Sequence, residues 1–550
     1  MDIFVYLLFS MLVFFVPLSF AATEPWAFFV MQSGIYFILL YLMIRKHSFS
    51  LTFPAKIISC LFIFIIGFAS IQFFNPRTVV QSISIIPFTV CPFYTLKEIV
   101  NLFTYFALFL VVTQLFEKSK EIKKLLFLIM ISACVVVLIA ICFPKGEYIK
   151  LFLNSGFLGD FGPFVNRNSA GIFLSMSFFV SLSLTINNFY EYKKYLLENK
   201  KIDFIIKQSM NILINMLLFT GIILTHSRGA MLSTFISLFC FCVMSAFFLP
   251  NTFKLKMKFI LTAGVLFLTA SFYIFKNVNA INTYAERSSG DFSEQAREML
   301  YKSAFDILRD FPLTGVGVSA FPVVVNKYLE KPLEAYPEHL HNDWLELLLG
   351  IGYPAGVVVF AGILFLAFSL ILRIKFLKTR EKIYYISLLS AVFSLFLGSL
   401  VDFHLHIPAN SFIFFAVLGL LSASSFYKDK IYNYSPVIYV KIFAVSACML
   451  LLFVSAKNTI AWKYFVFGEN LSAKAKIAYY EKGHSFSDDP RNFEKLIIAY
   501  YNADSNEAFS EEEKKYYRYK ANTAAKEFLI KYPFNRQMSG IYLNTKSGED

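Results

Sequence analysis

Apolar runs of about 18 to 22 residues recur along the chain up to about residue 456, and short polar segments separate them. A helix of this length crosses a hydrocarbon core of about 30 Å. The pattern predicts an all-α polytopic membrane protein with about 12–13 transmembrane helices. The first run also fits a signal peptide, but Asp2 follows Met1 without a basic segment, which favours a retained helix. The predicted spans are about 3–20, 27–44, 57–74, 100–116, 125–143, 169–186, 208–225, 229–249, 258–276, 344–372, 383–401, 407–426 and 438–456.

The last part of the chain has a different pattern. Residues 457–550 space aromatic and aliphatic side chains as helices do, with "SDDP" and "KYP" as interruptions. The Ala and Tyr pattern resembles the helix pairs of tetratricopeptide repeats, although the segment is too short for the three repeats of a free solenoid. We therefore expect a membrane domain over residues 1–456 and a small helical, tetratricopeptide-like tail over residues 457–550.

Composition and charge support this fold class and exclude others. With 57% hydrophobic and 16% charged residues, the chain is too apolar for a soluble protein. Its net charge of +14 comes from Lys and Arg in alternate loops, such as "FEKSKEIKK" and "RIKFLKTREK". This alternation places the basic loops in the cytoplasm and argues against a nucleic-acid partner. The seven cysteines show neither a disulfide framework nor metal-ligand spacing.

The same charge pattern assigns the other loops to the outer side. With the N-terminus in the cytoplasm, the outward segments include the turn at 226–228, a long loop over about 277–343 before the tenth span, and the turn at 402–406. A thirteenth span would leave the tail outside as well. Polar residues that are unusual in a membrane chain collect on this side and predict a site: His226, His339, His341, His404, His406, Arg167, Arg228 and Arg297.

Two arginines are candidates for binding an anion. Arg228 lies between Ser227 and Gly229 at the start of a span, where the first N–H groups of the helix point outward and favour phosphate. Its alternative role is an ordinary interfacial anchor. Arg297 projects from a predicted amphipathic helix over Ser293–Arg309, which is too short and polar to span. The "GVG" that follows fits a tight return loop better than a phosphate loop.

His341 is the candidate for proton transfer. It precedes the tenth span, which Asn342 or Asp343 can cap. The positive potential at a helix start favours the neutral imidazole, the form that a general base needs. An interfacial anchor is an equal alternative.

Two further polar groups flank predicted spans. Asn166, Arg167 and Asn168 precede the sixth span and can either bind sugar hydroxyls or cap the helix. In "DFHLHIP", Asp402 and two alternate histidines suit the lining of a polar cavity better than a metal site.

Taken together, these segments resemble the O-antigen ligase superfamily. The blocks "FVNRNSAG", "THSRGAMLS", "AREMLYKSAFDILRDFPLTGVGVSAFP" and "HLHNDWLELLLGIGYPAG" follow one another in the family's order. The recognisable motifs cover about residues 160–365. The superfamily includes O-antigen ligases, O-antigen polymerases and the O-oligosaccharyltransferases that glycosylate pilin-like proteins.

The resemblance implies metal-independent, inverting transfer of a glycan from undecaprenyl diphosphate to an acceptor hydroxyl, without a cofactor. The acceptor would be a lipid A-core, a glycan or a protein, and the site would face the periplasm at the bacterial inner membrane, surrounded by lipid. His341 would be the catalytic base, and Arg228 and Arg297 would bind the diphosphate. The candidate glycan- or acceptor-binding residues are Asn166, Arg167, Asn168, Asn342, His339, His404 and His406.

Several alternatives stay open at this point. A polysaccharide polymerase and a pilin-type protein O-oligosaccharyltransferase would use much the same catalytic residues. A transporter of lipid-linked sugars is a weaker alternative, because transporters bury charge near the midplane and repeat their halves. In this chain the charges gather at one face, and no internal repeat is visible.

Overall fold

A computed structural model describes residues 3–46, 48–78, 85–144, 147–148, 159–250, 264, 294–331, 333, 337–427 and 431–546. The predicted all-α polytopic fold is confirmed. The helices that precede the tail are α1 (Ile3–Leu18), α2 (Pro25–Arg45), α3 (Phe53–Phe74), α4 (Pro92–Leu115), α5 (Ser119–Cys142), α6 (Arg167–Tyr190), α7 (Tyr192–Leu197), α8 (Lys201–Leu224), α9 (Arg228–Phe248), α10 (Glu294–Asp310), α11 (Phe321–Val324), α12 (Asp343–Arg373), α13 (Thr379–Gly398), α14 (Pro408–Leu421) and α15 (Ile438–Glu469).

Twelve of these helices coincide with predicted spans. Among the described residues, ten helices are long and apolar enough to cross a membrane: α2 to α6, α8, α9, α12, α13 and α15. Helices α1 and α14 are apolar but shorter, with 16 and 14 residues. The predicted span at about 258–276 lies almost entirely outside the described residues.

Helix α6 lies at the centre of the bundle, packed against α5, α8, α9 and α13. Nearly every residue from Ser169 to Asn188 is buried. Small serine side chains permit close helix contacts, and several of their hydroxyls find partners inside the bundle. Ser177 Oγ donates to Phe173 O at 2.8 Å, and Thr234 Oγ1 of α9 donates to Ser175 Oγ at 2.8 Å. This packing holds the first turn of α6 in place at one end of the bundle.

Helix α12 is interrupted at Gly352, where φ is 76° and ψ is 174°. Pro354 has no N–H group to give to the carbonyl of Gly350, so that carbonyl needs another donor. Gly317 N–H donates to Gly350 O at 3.2 Å, and Gln72 Nε2 of α3 donates to it at 2.8 Å. The "GVG" segment therefore packs against α12. This agrees with the tight return loop that the sequence favoured over a phosphate loop.

Two short strands outside the helical pattern pair with each other. β1 (Phe49–Thr52) runs antiparallel to β2 (Ile431–Tyr434), with Phe49 opposite Tyr434. Their pairing joins the segment before α3 to the segment before α15. The sequence pattern did not predict this pairing.

The tail contains α16 (Ala473–His484), α17 (Pro490–Ala503), α18 (Glu511–Lys531) and α19 (Arg536–Lys546). These helices share a core with Phe465, which belongs to the last turns of α15. Helix α15 runs unbroken past the predicted boundary at 456 to Glu469, so the last span and the tail share one helix. A tetratricopeptide-like character of the tail stays a prediction.

Candidate active site

His341 lies in the segment that leads into α12. Asn342 is the N-cap of this helix, and its Oδ1 accepts the N–H of Leu345 at 3.0 Å. The N–H of Asp343 donates to Ser399 O at 2.9 Å and ties the start of α12 to the end of α13. His341 has a φ of 56°, in the left-handed region, where a side chain is held only by the surrounding structure. The orientation of its buried imidazole is therefore set by tertiary contacts.

Asp402 pairs with this imidazole. His341 Nδ1 lies 2.9 Å from Asp402 Oδ1, and both side chains are buried. Burial raises the pKa of Asp402, but the hydrogen bond from His341 and nearby positive groups, Arg297 among them, outweigh burial and lower it. An ionised carboxylate only accepts hydrogen bonds, so Nδ1 of His341 carries the proton. In the neutral form of this imidazole, Nε2 then carries the lone pair that a general base requires.

Distant segments of the chain hold this pair. Asn168 Nδ2, in the first turn of α6, donates to Asp402 Oδ2 at 2.8 Å. The N–H of Phe403 donates to Asp402 Oδ1 at 2.9 Å. Tyr301 of α10 donates from its hydroxyl to the backbone oxygen of His341 at 3.0 Å. The pair is thus fixed from α6, α10 and the turn after α13.

Both arginines predicted to bind an anion approach that turn. Arg297 Nη1 donates to Val401 O at 3.3 Å. Gly229, next to Arg228, lies against the same residue, since a Cβ at Gly229 would come 3.2 Å from Val401 Cγ2. Arg228 is the exposed first residue of α9, and the Ser227 hydroxyl caps this helix. The structure therefore brings Arg228, Arg297 and His341 to one end of the bundle.

Further basic groups belong to this end. His226 is exposed at the surface, but its partial desolvation lowers its pKa, and the positive charge of Arg167 at the start of α6 lowers it further. The pKa of His404 falls to about 4, mainly because the residue is buried, with Asp402 opposing the shift. His404 is therefore uncharged at neutral pH.

His339 and His406 form a separate cluster with Glu346, beside the His341–Asp402 pair. Their rings stack with centroids 4.2 Å apart. Glu346 Oε1 lies 3.2 Å from His339 Nδ1 and 3.4 Å from His406 Nε2. Phe403 separates this cluster from His341, with its ring 4.7 Å from His339 and 4.9 Å from His341. The donor atoms of the cluster are close enough to hold a metal ion.

The predicted polar asparagines take part in local structure. Asn166 caps α6, with its Oδ1 accepting the N–H of Asn168 at 2.7 Å. Asn342, and not Asp343, caps α12. Glycan or acceptor binding by Asn166, Arg167, Asn168, Asn342, His339, His404 and His406 stays a prediction.

The sequence pattern did not indicate that carboxylates belong to the site. Asp402 was expected only as part of a cavity lining, and its pairing with His341 across 61 positions is invisible in the sequence. Asp343 was considered only as a helix cap, and Glu346 was given no role in the site. The available signal was that "HLHND" and "DFHLH" both combine acids with alternate histidines at outward turns. No spacing rule says which acid meets which histidine.

Comparison with known proteins agrees with the motif order. Residues 213–360 match a family model described as O-antigen ligase. This range contains Arg228, Arg297 and His341, whereas Asp402 and Asn168 lie outside it. A search among curated proteins finds no match to the chain.

Proposed function

We propose that this protein, whose residues 213–360 match a family model described as O-antigen ligase, transfers a glycan from undecaprenyl diphosphate to an acceptor hydroxyl. The observation that carries the proposal is the buried His341–Asp402 pair beside Arg297. A base, its orienting carboxylate and a cation for the leaving group are the parts that such a reaction needs. The site is proposed to face the periplasm.

The transfer step follows from the proton arrangement of the pair. Nε2 of His341 takes the proton of the acceptor hydroxyl as that oxygen bonds to the anomeric carbon of the donor glycan. The bond from that carbon to the diphosphate breaks, and its electron pair leaves with the phosphate oxygen. A single displacement inverts the anomeric centre. Asp402 stabilises the imidazolium that forms, because it accepts the N–H of His341 Nδ1.

The diphosphate gains negative charge as its bond to the sugar breaks. Arg297 and Arg228 are proposed to stabilise that charge, because a guanidinium matches two phosphate oxygens at once. Arg228 begins a helix, and the positive end of the helix dipole adds to the same effect. Arg167 at the start of α6 adds a further positive charge nearby.

The test is reconstitution of the full chain in lipid with a purified undecaprenyl-diphosphate glycan and candidate acceptors. Products are measured by mass spectrometry. His341→Ala and Arg297→Ala are expected to abolish transfer while the protein stays folded. Arg309→Ala, an exposed substitution on the same helix as Arg297, is the matched control and keeps activity. Full activity of His341→Ala or of Arg297→Ala refutes the assigned roles.

The mass of the product also separates ligase from polymerase activity, since both use the same residues. A ligase leaves the number of repeat units in the glycan unchanged, whereas a polymerase increases it. A glycopeptide product would identify a protein O-oligosaccharyltransferase instead.

Labelling tests the proposed side of the membrane. The seven native cysteines are first replaced, and a single new cysteine is then introduced. His226→Cys places it at an exposed position of the site, and Lys118→Cys places it in a basic loop. An impermeant thiol reagent added to spheroplasts is expected to label residue 226 and not residue 118. The reverse pattern contradicts the periplasmic site.

A further inference from the structure

The donor atoms of His339, Glu346 and His406 all lie within 4.8 Å of one another, close enough to share one metal ion. Donors about 2.0–2.1 Å from a tetrahedral zinc ion lie about 3.3–3.4 Å from one another. The two contacts of Glu346 Oε1 with the histidine nitrogens are 3.2 and 3.4 Å long. Two imidazoles and one carboxylate are a common donor set for divalent transition metals.

A second observation comes from Asp343, which adjoins the cluster. Its Oδ2 accepts the N–H of Leu405 at 2.9 Å. Its Oδ1 lies near the Ser399 hydroxyl, which contributes a hydrogen bond to this carboxyl group, and 3.7 Å from His406 Nε2. The side chain is 3% exposed. A buried carboxyl group therefore adjoins the cluster on the side of His406.

The carboxylate of Glu346 is buried as well. Its side chain is 3% exposed, and a buried negative charge needs a positive partner or hydrogen bonds close to it. A divalent cation bound by Glu346 and two neutral imidazoles supplies such a positive partner.

We propose that His339, Glu346 and His406 bind a divalent transition metal such as zinc, with the Asp343 carboxyl group adjoining the site. The stacked rings, inclined at 25°, would rotate so that both lone pairs face the ion. The histidine side chains are 23% and 17% exposed, which leaves an open edge for a water ligand.

The role of this ion is structural. It joins the segment before α12 to the turn at 404–406, and these two segments carry His341 and Asp402. The proposed transfer step is written without a metal ion, so the metal site does not depend on the proposed function. The ion would hold the two segments in register, as a cross-link between distant parts of the chain does.

Zinc binding is measured directly on the full-length protein in detergent, purified with a tag that contains no histidine. The protein is stripped with a chelator, equilibrated with zinc and passed through a desalting column, and bound zinc is counted by mass spectrometry. We expect about one tightly held zinc per chain and a higher Tm with zinc than without it. Cobalt in place of zinc is expected to give the visible absorption of a tetrahedral site.

His406→Ala and Glu346→Gln are expected to lower zinc affinity by at least about 100-fold. His404→Ala is the matched control, because it removes a histidine of the same turn outside the cluster. If a variant fails to fold, His339→Gln tests the same site at its most exposed ligand. The proposal is overturned if no zinc is retained, or if these ligand variants retain as much as the control. Either result leaves the transfer assay unaffected, so failure here is distinct from failure of the proposed function.

Discussion

The imidazole of His341 and the carboxylate of Asp402 depend on each other because both are buried. A buried carboxylate without partners costs several kcal/mol, and the donors from His341, Asn168 and Phe403 offset that cost. The same contacts fix which nitrogen of His341 carries a proton. Structural stability and proton arrangement therefore rest on the same hydrogen bonds.

Asp402→Asn tests this dependence with almost no change of volume. An amide can donate to Nδ1 and favour the opposite tautomer, which removes the lone pair from Nε2. We expect transfer to fall by about 100-fold or more while substrate binding changes little. The measurement is the turnover of the reconstituted enzyme at saturating donor.

Asp306→Asn on α10 is the control, because Asp306 forms an exposed ion pair with Arg309, which contributes little to stability. Unchanged turnover in Asp402→Asn, with the control also active, contradicts the orienting role.

His404 makes stability depend on pH. Its pKa is lowered to about 4 in the folded protein, so between about pH 6.5 and pH 4 the unfolded chain binds more protons. The contribution of the neutral His404 to the free energy of unfolding is fully present above that pH range. It is lost as the pH falls through the range, and the loss is no more than about 3 kcal/mol. The lowered pKa of His226 acts in the same direction.

We therefore expect the Tm of the detergent-solubilised protein to fall between pH 7.5 and pH 5. In His404→Gln the fall is expected to be smaller, because glutamine does not titrate. An equal slope in the variant and the parent protein would show that His404 does not cause the effect.

At the scale of elements, the loop containing Gly317 completes α12. Gly317 has a φ of 108°, and a Cβ there would come 2.6 Å from Thr89 Cβ. The loop supplies a hydrogen bond that the broken turn of α12 lacks. Only glycine satisfies both the backbone conformation and the close approach.

Gly317→Ala is expected to destabilise the protein by more than about 1 kcal/mol, since the added methyl group forces either the loop or residue 89 to move. Gly67→Ala is the control, because a Cβ at Gly67 in α3 meets no atom within 4 Å. The control is expected to change the free energy of unfolding by no more than about 1 kcal/mol. Both are measured by thermal unfolding in detergent, and equal Tm values in the two variants contradict the expectation.

At the scale of the whole molecule, the tail docks beside the candidate site. Arg491 forms an ion pair with Glu338, the residue before His339. These side chains are 35% and 58% exposed, so the pair contributes at most about 1 kcal/mol. Apolar packing contributes more: Tyr532 and Phe534 pack onto the cluster around Phe88.

Tyr532→Ala is expected to weaken this docking by about 1–3 kcal/mol, because it removes a partly buried ring that contacts both the tail core and Cys91. Limited proteolysis is expected to release the tail faster. Tyr519→Ala, at a tail tyrosine that is 62% exposed, is the control. Equal cleavage rates in the two variants would show that Tyr532 does not hold the tail.

Much of the fold could be predicted from the sequence, because a membrane helix satisfies its own backbone hydrogen bonds and its length is set by the bilayer. The twelve predicted spans that fall on described residues are all helices. The β1–β2 pairing and the continuation of α15 to Glu469 could not be predicted, since both depend on contacts between distant segments.

The sequence by itself determined the helices, the grouping of Arg228, Arg297 and His341 at one end of the bundle, and the motif order that carries them. These are local properties, fixed by hydropathy and by charges near helix ends. Only the tertiary structure decided that Asp402 meets His341, that Asn168 meets Asp402, and that Glu346 lies between His339 and His406. The reason is physical: hydropathy sets where a helix begins and ends, whereas the partner of a buried polar group is set by how the helices pack.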